Sequence, residues 1–203
     1  MATLTIDGTS GDDAIVITAT GSDSGSYSIN GSPAVAFSGV TQVVVTGEDG
    51  NDALTIVNPE GSLFVPTDGI SYDGGGDPAD ALEILGGTAN DLTYTAGATP
   101  DAGTLTHTGD AGAQTIAFAG IAPVTDTVAA VSLTINGTAG SDAIAVTDGG
   151  LVGGFQTTQI SAPSFESLRF AAQRSASMSR CSATCRPMQL QVRGRPAIVS
   201  LHA

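Results

Sequence analysis

The stretch LTIDGTSGDDAIVIT at residues 4–18 returns as LTINGTAGSDAIAVT at residues 133–147, identical at ten of fifteen positions. In both copies an apolar-polar alternation runs into a Gly- and Asp-rich turn, and a second alternation follows. The turn-then-strand unit is found again as GEDGNDALTI (47–56) and GGGDPADALEI (74–84), with the shared core Asp-Ala-[Leu/Ile]-x-[Ile/Val]. Glycine permits positive φ in a tight turn, aspartate accepts hydrogen bonds from turn amides, and alternation turns one strand face inward. Looser relatives are GGTANDLTY (86–94) and GDAGAQTIAF (109–118), the latter with Gln114 where aspartate is expected.

The four good copies place their Asp-Ala step at Asp13, Asp52, Asp80 and Asp142, with gaps of 39, 28 and 62 residues, so insertions interrupt equal tiers. Between them lie short runs such as SYSIN (26–30), QVVVTG (42–47), ISYDG (70–74) and TLTHTG (104–109), each bounded by turn residues. The chain has 27 glycines, no tryptophan and 41% hydrophobic residues in 203, enough for a core made of short strands. Self-similar units with Gly/Asp corners predict an all-β fold, a parallel β-helix or related β-solenoid with irregular rungs. Tandem β-sandwich domains are the alternative, since they also need short alternating strands.

All 20 acidic residues lie within residues 1–168 and all six arginines lie between Arg169 and Arg195. The region before Arg169 therefore repels phosphates and anionic membranes, which argues against nucleic acid as a partner and leaves cations or basic molecules as compatible ligands. No apolar run is long enough for a transmembrane helix, and membrane insertion is not expected. With Met1 followed almost at once by LTID, the chain reads as a segment of a longer protein without a signal peptide of its own.

The G-x-x-G-[N/D/S]-D-A-[L/I] units resemble the nonapeptide of calcium-binding, hemolysin-type (RTX) repeats, and their spaced-out form is similar to large secreted bacterial surface proteins built of β-helical repeats. The resemblance covers residues 1–168 as motifs. It implies calcium as a cofactor, with ligand roles for Asp13, Asp52 and Asp142 and weaker ones for Asp80 and Asp91. RTX turns come in tandem at about nine-residue spacing, whereas these stand alone. The alternative role for the aspartates is turn capping. Carboxylates are densest at Asp12-Asp13 and along Asp73, Asp77 and Asp80.

Paired acids on a β-helix also suit polysaccharide cleavage, a reading that requires acids in a groove beside exposed Tyr27, Tyr72 or Tyr94. Acids confined to turn corners favour a scaffold instead. His107 is the only histidine before residue 169 and lacks a Cys or second His to share a metal, which assigns it an ordinary strand or turn position. Gly74–Gly76 form a turn, with no following helix pattern to make a phosphate loop. Asn30-Gly-Ser and Asn136-Gly-Thr match the glycosylation sequon, a short pattern common in chains rich in Asn-Gly turns.

Residues 169–203 form a basic tail in which Cys181, Cys185 and His202 give only a weak metal or disulfide pattern. A reading-frame shift accounts for the change of character, because shifted codons for residues 177–189 can encode acidic turns and β-forming residues, including an Asp-Ala step. The tail is expected not to continue the solenoid.

Together these features predict a structural or adhesive repeat segment of a large secreted or cell-surface bacterial protein, not an enzyme in itself. Its partners would be neighbouring repeats of that protein and cell-surface glycans or proteins. A carbohydrate-active β-helix enzyme fragment or a carbohydrate-binding module is the alternative.

Overall fold

The computed structural model describes residues 2–77, 79–171 and, for the main chain alone, 189–201. The chain lays down β1 (Thr3–Asp7), β2 (Ala14–Ala19), β3 (Gly25–Ile29) and β4 (Val35–Phe37), then β5 (Gln42–Thr46), β6 (Ala53–Val57), β7 (Ile70–Asp73) and β8 (Ala81–Leu85). Next come β9 (Thr88–Ala96), β10 (Gly103–Gly109), β11 (Gly112–Ala119), β12 (Val124–Asp126) and the 24-residue β13 (Ala129–Val152). The last are β14 (Phe155–Ala162), β15 (Phe165–Ala171) and β16 (Gln189–Leu201). The described residues contain no helix.

All sixteen strands belong to one hydrogen-bonded sheet that curls until it nearly closes, in the manner of a solenoid or barrel. Two parallel stacks give it its grain. One runs β1, β5, β7, β11; the other runs β2, β6, β8, β12, β15. The first four members of each stack are joined in order by corners, the first three of them acidic, so β1-corner-β2, β5-corner-β6, β7-corner-β8 and β11-corner-β12 are successive tiers. Further strands bridge the stacks to β13: on one side β10, antiparallel to both β11 and β9, and then β9, which pairs β13 in parallel; on the other β14, antiparallel to both β13 and β15. The fold is thus a single sheet of mixed direction, in which the hairpins β2-β3-β4, β9-β10-β11 and β13-β14-β15 absorb residues that a uniform solenoid would place in further tiers.

The alternation read from the sequence is realised in the core. Val43 and Val45, Leu54 and Ile56, and Leu82 and Ile84 are all at most 1% exposed, while their strand neighbours are partly exposed. Parallel register stacks them into columns, Ile15–Leu54–Leu82–Val124–Leu168 and Ile17–Ile56–Ile84. Each such side chain contributes roughly 1.5–3 kcal/mol by leaving water. The next member of the second column, in register with Ile84, is Asp126.

The change of composition at Leu168 does not end the fold. β15 continues to Ala171, with Phe170 2% and Ala171 8% exposed. The main chain of β16 pairs in parallel with β13 over Ser132–Val146. Backbone pairing draws on amides and carbonyls that every non-proline residue carries, so a basic composition does not prevent it. Cys181, Cys185 and His202, and with them the weak metal or disulfide pattern, lie outside the described residues, as do most of the positions bearing on a frame shift.

Candidate functional site: the stacked acidic corner

The first three tiers place Asp13, Asp52 and Asp80 one above another at the corner, and all three are buried. Their carboxylates form a ladder. The Asp13 N–H donates to Asp52 Oδ1 at 2.7 Å and the Asp52 N–H donates to Asp80 Oδ1 at 2.7 Å. In the reverse direction, Ala53 N–H donates to the Asp13 carbonyl, Ala81 N–H to that of Asp52, and Ala122 N–H to that of Asp80. Each aspartate therefore satisfies an amide that the bend of the corner takes out of the regular strand pairing. The ladder stops at the fourth tier, whose corner at residues 120–123 carries no carboxylate.

The first glycine of each unit follows from the same geometry, for a reason other than left-handed backbone. A Cβ on Gly8 would lie 2.9 Å from Asp13 Oδ2 and one on Gly74 2.7 Å from Asp80 Oδ2, while on Gly47 and Gly137 it would come nearer still to Asp52 and Asp142. These glycines make room for the carboxylate and, in the first three tiers, for a glycine carbonyl of the next tier as well: that of Gly47 against Gly8, Gly74 against Gly47 and Gly120 against Gly74. Positive φ occurs one residue later in the middle tiers, at Glu48 (78°) and Gly75 (110°).

That turned residue divides the aspartates into two kinds. In the first unit Thr9 donates its N–H (2.5 Å) and its hydroxyl (3.0 Å) to Asp13 Oδ2. In the last, Thr138 donates its N–H to Asp142 Oδ2 (2.9 Å) and its hydroxyl to Oδ1 (2.8 Å). Where Glu48 and Gly75 replace threonine, the second oxygens of Asp52 and Asp80 are buried without a hydrogen-bond partner. The Thr9 amide holds Asp13 below the ordinary carboxylate pKa. Burial pushes Asp142 up, but hydrogen bonds from Ser164 and Thr138 outweigh it and the net direction is down. For Asp52 and Asp80 burial dominates and the pKa rises, against the pull of the Asp13 and Asp52 amides respectively. Thr9→Val, which keeps the amide and deletes the hydroxyl bond, is expected to cost about 0.5–1.5 kcal/mol, measured by thermal unfolding.

Asp13 and Asp142 share a further device. Asn30, in left-handed backbone (φ 52°), donates Nδ2–H to Asp13 Oδ1 at 2.6 Å and accepts the Ala14 N–H at 2.8 Å. One carboxamide thus plays both parts that a neighbouring tier's peptide plays lower in the ladder. In the second copy the β13-β14-β15 hairpin brings Ser164 Oγ–H to Asp142 Oδ1 at 2.6 Å. Nothing about the sequon at Asn30 announced this, because the contact spans seventeen residues and a hairpin.

A second, exposed row of acids follows the outside of the corner. Asp12 Oδ1 accepts the Asn51 N–H (2.8 Å), Asp77 Oδ2 accepts the Gly50 N–H (2.8 Å), and Asp73 Oδ1 accepts the Gly75 N–H (3.2 Å). Asp91 lies elsewhere, on the exposed face of β9, where it accepts the Ser132 hydroxyl. Gln114 is not a corner residue either: its unit is the β10-β11 hairpin, and it donates to Asn58 Oδ1 and to the Phe64 carbonyl, each at 2.8 Å. The corner's inner Oδ1 atoms hold amides, its free Oδ2 atoms press on glycine, and among the described residues no three His, Cys, Asp or Glu side chains group around a common point.

His107 and Asp126 form a pair that sequence patterning did not single out. Nε2 and Oδ2 are 2.6 Å apart with both residues 0% exposed, and Asp126 Oδ1 accepts the Val128 N–H at 2.9 Å. The inward phase of Val124 and Asp126 was the available signal. Full burial keeps substrate from the pair and makes it part of the core. Tyr72 and Tyr94 are also in the core at 1% exposure, and Tyr27 is half-buried. A cleft of about 380 Å³ lies between Gly61, Leu63, Thr88, Asn90, Asp110 and Val131, with no aromatic side chain in its lining. Comparison with known proteins brings no relative: no family model, curated protein or solved structure matches the chain.

Proposed function

We propose that the chain is an irregular parallel β-helix segment serving as a shape-stable spacer in a secreted or cell-surface bacterial protein, with neighbouring repeats and surface glycans or proteins as its partners. The observation that carries this reading is the aspartate ladder, which converts the acidic corners into a tier-to-tier hydrogen-bond column rather than an open reactive site. The apolar columns beside it tie the same tiers together, so rigidity is distributed along the stack. The proposal is tested by displaying the chain between a cell-surface anchor and an epitope tag. Greater access of a bulky antibody to the tag than in a direct fusion is expected, and equal access would sink the spacer role.

On this reading the acids act as corner acceptors, and unfolding in EDTA, calcium or magnesium is expected to give the same midpoint by far-UV circular dichroism. A calcium-specific rise in β signal and midpoint would instead install the ion as the corner's partner and make the RTX-like mechanism the working one. The carbohydrate-active reading is left with the cleft beside Asn90 and Asp110, which offers polar groups without a stacking platform.

A further inference from the structure

The two copies of the opening stretch match on every side but one. In the second, Ser132–Asn136 is flanked on one edge by β16 and on the other by β9, with Leu92 opposite Leu133 and Tyr94 opposite Ile135 in parallel register. In the first, the equivalent Thr3–Asp7 has β5 on one edge and, among the described residues, no strand on the other. The difference is visible in burial, since Leu133 is 0% exposed whereas its counterpart Leu4 is only partly buried.

Hydrogen bonding shows which groups face that open edge. The Ala2 carbonyl accepts the Thr41 N–H and the Gly8 N–H donates to the Thr46 carbonyl, each at 2.8 Å. Even-numbered residues therefore address β5, and the amides and carbonyls of Thr3, Thr5 and Asp7 point the other way. Beyond the strand the edge is closed in both copies, by Asn30 and β3 in the first and by Ser164 and β14 in the second. The open surface is one strand long and does not admit a whole tier.

We propose that the free edge of β1 binds an extended segment of another polypeptide as a single added parallel strand, carrying a leucine-sized residue opposite Leu4 and an aromatic residue opposite Ile6. Main-chain bonds at Thr3, Thr5 and Asp7 supply affinity and the apolar alternation supplies register. The β9–β13 pairing is the template for this contact, which rests on strand geometry and stands independently of the spacer role.

The test uses a fluorescent peptide of the β9 sequence TANDLTYTA, followed by anisotropy against the full chain, with a scrambled peptide as control. Saturable binding is expected, weakened at least about tenfold by scrambling the peptide or by Thr5→Pro. That substitution removes an outward amide and leaves the β5 bonds of Leu4 and Ile6 in place. If Thr5→Pro does not fold, hydrogen exchange on the unmodified chain decides, with slowed exchange at Thr3, Thr5 and Asp7 expected on peptide addition. No preference over the scrambled peptide, binding unaffected by a folded Thr5→Pro, or unchanged exchange would overturn the proposal. Self-association of the unmodified chain that Thr5→Pro abolishes would also overturn it, and would assign the edge to a second copy.

Discussion

Asp126→Ala is expected to destabilise the fold by about 3–5 kcal/mol, the summed cost of the buried groups it leaves unpaired, about 1–3 kcal/mol each, and of the space it vacates. The loss has three sources: His107 is stranded in an apolar interior, the Val128 N–H loses its acceptor, and a void opens in the column headed by Ile17. The double variant Asp126→Ile/His107→Leu continues that column with the residue its other tiers use. Replacing a buried pair by well-packed apolar groups is often neutral or favourable, but the Val128 amide stays unpaired at a cost of about 1–3 kcal/mol. Most, not all, of the single-variant loss should therefore return. Urea unfolding with a constant m-value measures both; a single-variant cost below about 1 kcal/mol would mean the pair is not a unit of the core.

The second large effect has opposite signs at neighbouring tiers. Asp13→Asn and Asp142→Asn should each lower stability by about 1–3 kcal/mol at neutral pH, because an amide replaces the oxygen that accepts a backbone N–H. Asp52→Asn and Asp80→Asn retain the Oδ1 acceptor and remove a buried charge whose second oxygen has no partner. They should raise stability by about the same amount. The pH dependence follows from the pKa directions. Folding lowers the pKa of Asp13 and Asp142, so their contribution is full above the ordinary carboxylate range and is lost as the pH falls through the lowered values. Folding raises that of Asp52 and Asp80, so their penalty is full above the raised values and disappears as these groups protonate. The gain from Asp52→Asn should accordingly be present at neutral pH and vanish in acid, as read from thermal midpoints across the titration. Four destabilised variants would show that all four carboxylates are needed as charges.

Much of the core was legible before any coordinates, because alternation in ALTIV and ALEIL states which side chains face inward and the shared Asp-Ala step states where each tier begins. The ladder itself was not, since it joins residues 39 and 28 apart whose register depends on the intervening excursions. Glycine was read as a source of left-handed backbone, but at Gly8, Gly47, Gly74 and Gly137 the constraint is close packing, by a carboxylate at Gly137 and by a carboxylate together with the next tier's glycine carbonyl at the other three. Local similarity also misplaced Asp91 and Gln114, which sit in antiparallel hairpins where the same letters serve strand pairing. His107 could not be matched with Asp126 because nothing local brings β10 beside β12. The polarity of pairing was similarly hidden: a strand's own residues seldom say whether its neighbour runs with it or against it.

The hairpin between β3 and β4 has a use apart from closing the stack. Its tip, Gly31 to Ala34, is exposed; within it Ser32 is tied back to Ile29, and beside it Asn30 is tied to the first corner. The first tier therefore holds an attachment point whose height and azimuth are set by the amide clamp below it. A foreign loop inserted between Pro33 and Ala34 would be carried at a defined position on the surface of the first tier, its placement dictated by the sheet rather than by linker flexibility.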